Sequence, residues 1–159
     1  MSFRISGLPQ SEFQSLFQQS DADLLAQGIR RMTVDVFPGY PDRISLDDAP
    51  IGSTVLLLNY EHQPADTPYR SRHAIFVHEQ ATATFDAVDT VPPALKRRVL
   101  SIRAFSAAGD LLAADLGKGD EIGPKFSAML DDPNVAYLHA HYAKPGCFAA
   151  RVARVAAAG

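Results

Sequence analysis

The chain has 159 residues, 47% of them apolar and 21% charged, with a formal net charge of −3. That balance excludes a disordered or fibrous chain, and the absence of a basic excess argues against nucleic acid as a partner. The length is enough to bury a core without disulfides or metals, so one domain spanning residues 1–159 is expected.

Near the N-terminus, Pro9 followed by Phe13, Leu16 and Phe17 predicts a short helix with one apolar stripe. Ser20 and Asp23 form the start signal of a second helix, which carries Leu24 and Leu25 and closes at Gly28. From Arg30 to Val36, Met32, Val34 and Val36 alternate with Thr33 and Asp35, as in a half-buried strand. The run Phe37-Pro38-Gly39-Tyr40-Pro41 stops it, and Asp47 to Gly52 forms a further turn.

Residues 54–60 and 73–79 read as two buried strands. They bracket a polar segment, predicted to be a long loop, with Glu61, His62, Tyr69, Arg70, Arg72 and His73 on or beside it. The triplet Lys96-Arg97-Arg98 reads as a solvated edge or helix end. Val99–Ser106 and Leu111–Leu116 form a hairpin across Ala107 to Asp110. Ile122, Phe126, Met129 and Leu130 make a helical stripe that Pro133 ends.

The last two strands, Asn134–Ala143 and Cys147–Val155, flank Lys144-Pro145-Gly146. An odd connection keeps Leu138, Ala140 and Tyr142 on one face with Phe148, Ala150 and Val152. It leaves Tyr137, His139, His141, Ala149 and Arg151 on the other, wetter face, with Cys147 at its end. An even connection mixes the two sets, so the odd one is expected. Together these elements predict an α+β fold with a mostly antiparallel sheet and two or three short helices.

Two sets of residues carry chemistry. His139 and His141 share one face of a strand and, with His73, are the candidates for proton transfer. The same pair is an alternative site for a divalent metal, for which a third ligand is not evident among His62, His73, His78, Glu61, Glu79 and Cys147. Tyr69, Arg70, Arg72 and Arg151 are candidates for binding an anionic ligand, because guanidinium presents a planar fork to carboxylate or phosphate. In the plainer reading of the loop, its arginines pair with Glu61 or Asp66.

The functional expectation is a pocket for a small anionic molecule, with or without acid-base catalysis, between the 61–73 loop and the 137–151 hairpin face. The alternative is a non-catalytic interaction protein or homodimer that uses a sheet edge. No cofactor is indicated. Cys147 is the single cysteine, so it has no intrachain partner, and it reads as a buried structural thiol. With no signal-like segment and no membrane-length apolar run, a cytoplasmic protein without a membrane partner is expected.

The segments FPGYPDRISLDDAPIGSTVLLLNYEHQP, PYRSRHAIFVHE and VAYLHAHYAKPGCFAARVARV together resemble the uncharacterised bacterial family called domain of unknown function 1203, over about residues 29–155. The resemblance implies a small one-domain bacterial protein and carries no activity, substrate or cofactor. It implies Pro-Cys-Arg in relatives where this chain has Pro41-Asp42-Arg43, which here leaves no cysteine to pair with Cys147.

Overall fold

The computed structural model describes residues 1–81 and 83–155. Its order is β1 (Phe3–Ser6), α1 (Gln14–Phe17), α2 (Asp21–Ala26), β2 (Arg30–Thr33), β3 (Thr54–Gln63), β4 (Ser71–His78), β5 (Asp86–Val88), α3 (Pro93–Lys96), β6 (Leu100–Phe105), β7 (Leu111–Gly117), α4 (Ile122–Leu130), β8 (Tyr137–Tyr142) and β9 (Phe148–Arg154). The strands form two antiparallel sheets, one ordered β5-β1-β9-β8-β6-β7 and the other β2-β3-β4. The fold is α+β, with four short helices among the described residues, and the one-turn α3 ends at the basic triplet 96–98.

Several local rules act as expected. The Ser20 hydroxyl accepts from the Asp23 N–H at 3.1 Å and caps α2, and Gly28 closes that helix with a φ of +76° that a side chain would strain. The ladder expected to run to Val36 ends at Thr33, after which Val34 bonds across to Ser53 and Gly52. In α4, Ile122, Phe126 and Leu130 recur at four-residue spacing and are buried against one face of the large sheet. Phe126 meets Phe3 edge-on at 5.4 Å, joining that helix to β1.

The other face of the large sheet is covered by the β3–β4 ribbon. Residues 61–63 and 71–72, expected in the long loop, lie in this ribbon, so the irregular connection is only 64–70. The ladder pairs Tyr60 with His73 but Gln63 with Ser71, which puts one extra residue on β3. Such a bulge re-aims a side chain, and here the displaced residues are Glu61 and His62. Beyond it, Gln63 Nε2 donates to the Tyr137 hydroxyl at 2.9 Å and Thr67 Oγ1 to the Gly109 carbonyl at 3.1 Å. These bonds pin the ribbon tip to β8 and to the β6–β7 turn.

The β8–β9 hairpin departs from the odd connection expected of it. Tyr142 bonds Cys147 across a four-residue connection, 143–146, in which Gly146 has φ +82°. Phe148 then pairs with His141, whereas Ala150 pairs with Ala140, so Ala149 is the extra residue of a second bulge. That bulge restores the expected parity farther along, where Leu138 pairs with Val152 and His139 with Arg151. Phe148 therefore stands on the histidine face, not with Leu138 and Ala140, and Cys147 joins the opposite set.

The 41–48 loop is held between the two sheets. Asp42 is fully buried, and its carboxylate accepts from the backbone N–H groups of Ile44, Ser45 and His78 and from the Ser45 hydroxyl, at 2.7–3.1 Å. Leu8 N–H donates to the Arg43 carbonyl at 2.7 Å. Gly7 allows this approach, because a Cβ there would lie 2.1 Å from the Ile44 carbonyl oxygen. Gly7→Ala is expected to displace the loop and lower stability by about 1–3 kcal/mol, the usual scale of overpacking, in chemical denaturation. Wild-type stability in that variant would show that the loop is not tightly held.

Candidate functional site

Two groups of side chains meet around the start of β9, one on each side of the chain. The first is a histidine layer between the ribbon and the large sheet. His62, aimed inward by the β3 bulge, stacks on Phe148 with 5.4 Å between centroids and 6° between planes, and meets His141 edge-on at 4.9 Å. His139 lies 6.1 Å from His62 and 5.1 Å from Phe148. His139 and His141 are 4% and 1% exposed. They were expected on a wetter face, but the ribbon covers that face.

Burial, more than any charge, keeps these imidazoles neutral. It pulls His62 down to about 4, helped by the positive charge of Arg103, and His139 down to about 3, helped by the other histidines, Arg151 and Arg103. His141 is also pulled down to about 3, although a bond between its Nδ1 and the Gly146 carbonyl at 3.0 Å works the other way. The contact implies that Nδ1 carries the proton of the neutral ring. Among the described residues no group of three or more His, Cys, Asp or Glu side chains is placed to hold a metal ion.

The second group lines a cavity of about 630 Å³ bounded by the 39–43 loop, β4, the end of α3 and the 142–147 turn. Leu57, Phe76 and Val99 supply apolar wall, and Arg43, Arg97, Arg98 and Lys144 supply positive charge. No carboxylate is in the lining. Arg97 and Arg98 share Asp48, whose side chain is fully buried, and Arg97 also holds Asp47 at 2.8 Å. Burial alone would raise the pKa of Asp48, but the two guanidiniums outweigh it and lower the net value.

Arg43 is different. It is 1% exposed, and its acceptors are the Phe148 carbonyl at 2.8 Å, the Pro41 carbonyl at 2.5 Å and Cys147 Sγ at 2.9 Å. None of these is a carboxylate. Its guanidinium lies over the Tyr142 ring at 5.0 Å, and that of Arg98 lies over the same ring at 5.2 Å. The Tyr142 hydroxyl is buried with no hydrogen-bond partner among the described residues, and burial pushes its pKa up to about 12, against the pull of the two arginines. It is therefore a neutral donor at physiological pH.

The residues singled out from sequence divide among these places. His73 lines the cavity, while His139 and His141 belong to the neutral layer across Phe148. Arg70 and Arg72 turn to Glu61 at 3.4 and 3.7 Å, the plainer of the two readings, and Tyr69 stands exposed on the ribbon tip. Arg151 is exposed and lies over the Tyr137 ring at 4.9 Å. Arg43, Arg97, Arg98 and Tyr142 were not among the candidates. The only available signals were the basic triplet at 96–98 and the acidic pair at 47–48, which turn out to be partners.

The histidine layer makes stability depend on pH. Unfolded histidines take up protons near pH 6.5, whereas these three do so only at about 4 to 3, so the unfolded state binds more protons between those limits. Their contribution is fully present above about pH 6.5 and is lost as pH falls toward the folded-state values. Chemical denaturation between about pH 7 and pH 5 should show stability falling with pH, and His139→Leu should reduce that slope by about a third. An unchanged slope would contradict the neutral layer.

The match to known proteins covers the cavity. A family model described as a protein of unknown function fits residues 39–154, from Gly39 on the cavity wall to the end of β9. No curated protein and no solved structure matches the chain. With about three quarters of its length inside that model, the chain belongs to the DUF1203 family.

Proposed function

We propose that the protein binds a small anionic molecule with an apolar body in the cavity beside Arg43. The observation that carries this reading is a guanidinium buried in the cavity wall with two carbonyls and a sulfur as partners and no carboxylate. A charge removed from water costs several kcal/mol unless an opposite charge compensates it, and an anionic ligand supplies one. Lys144, exposed at the rim, adds a second cation with no carboxylate partner among the described residues.

The rest of the wall fits the same occupant. A volume of about 630 Å³ lies within the roughly 300–1,000 Å³ range of small-molecule pockets. The Tyr142 hydroxyl offers a free donor near the guanidiniums, and Leu57, Phe76 and Val99 suit an aromatic or aliphatic body. In this reading the anion sits at the turn end of the 137–151 hairpin and not over its middle, away from Tyr69, Arg70, Arg72 and Arg151. If the ligand is transformed, acid-base work falls to His73, since His139 and His141 face the other side of Phe148.

Thermal denaturation in the presence of aromatic carboxylates, each paired with its neutral amide, tests the reading. The carboxylates should raise the melting temperature with increasing concentration while the amides do not. Added salt and Lys144→Ala should both shrink the shift. Equal shifts from acid and amide, or none from any anion, would overturn it.

A further inference from the structure

We infer that Cys147 is a nucleophilic thiol that exchanges with the disulfides of small acid-bearing thiols entering the cavity. The inference rests on the anion-binding reading and assigns that site a reaction. Sγ takes a hydrogen bond of 2.9 Å from Arg43, and among the described residues it is the only ionisable acceptor that the guanidinium has. Cys147 is 7% exposed and lines the cavity, which is the side from which a reagent would approach the sulfur.

An independent feature points to a ligand at the same place. Tyr142 is 2% exposed and lines the cavity, and its hydroxyl has no partner among the described residues. The Arg43 and Arg98 guanidiniums both lie over its ring. A buried donor of this kind costs free energy unless something in the cavity accepts from it. The thiol also has no second cysteine in the chain, so any disulfide it forms joins it to another molecule.

In the exchange, the Cys147 thiol gives its proton to water, and the sulfur attacks one sulfur of R–S–S–R. A Cys147–S bond forms to that sulfur while the original S–S bond breaks, and the electron pair leaves on the second half as R–S⁻. Cys147 is oxidised to a mixed disulfide, and the departing half is reduced. Arg98 and Lys144 line the same cavity, and their positive charge favours that departing anion. A second thiol of the same kind reverses the step.

Two disulfide reagents separate the claims. Dithiobis(nitrobenzoate) carries two carboxylates, and dithiodipyridine is neutral. Their rates with the native protein are each divided by their rates with mercaptoethanol. The ratio should favour the anionic reagent by about tenfold or more. It should fall severalfold in Lys144→Ala and in high salt, and Cys147→Ser should show no reaction.

A thiol inert to both reagents, in a protein still stabilised by aromatic carboxylates, would overturn the exchange and leave anion binding standing. Equal normalised rates would show an accessible thiol in a site with no preference for anions, and both readings would fall.

Discussion

The Arg43 guanidinium ties the two sheets together. It reaches from the 41–48 loop, beside the small sheet, to the first residues of β9 in the large one, and it closes the wall of the cavity between them. Holding a cation there requires a loop fixed in place. Asp42 does this with four hydrogen bonds, and Gly7 lets β1 pass close behind. Carbonyl dipoles stabilise a guanidinium without neutralising it. In the proposed reading, this charge is what an anionic ligand compensates.

The β9 bulge gives that wall its two characters. Cys147 and Phe148, neighbours in extended chain, point to opposite sides, one into the cationic cavity and the other into the histidine layer, and the extra residue Ala149 sets Phe148 out of step with Ala150 and Val152. The imidazoles of His62, His139 and His141 pack as neutral aromatic rings, and burial with Arg103 and Arg151 nearby keeps protons off them. Their contribution is to cement the ribbon to the sheet. His73 alone among the histidines offered for catalysis reaches the cavity.

Much of the architecture can be read from the chain because the rules involved are local. The Ser20 cap, the α4 stripe and the β6–β7 pairing each depend on residues a few positions apart. Both misplacements near the site come from bulges. One extra residue at 61–62 keeps the polar stretch in a strand, and Ala149 moves Phe148 to the other face. The cavity itself is built from distant pairs, Asp48 with Arg98 across 50 positions and Arg43 with Cys147 across 104. No periodicity links such residues, so a basic triplet and an acidic turn looked like separate surface features.

The central claim is that Arg43 is a buried cation whose counter-charge arrives with a ligand. NMR of the arginine side-chain N–H groups in nitrogen-labelled protein addresses it directly, with Arg43 assigned as the signal tied to the buried loop. Titration with an aromatic carboxylate should shift the Arg43 resonances and slow their exchange with water while Arg70 and Arg72 stay unchanged. Shifts confined to those exposed arginines, with Arg43 unmoved at saturating anion, would contradict the account.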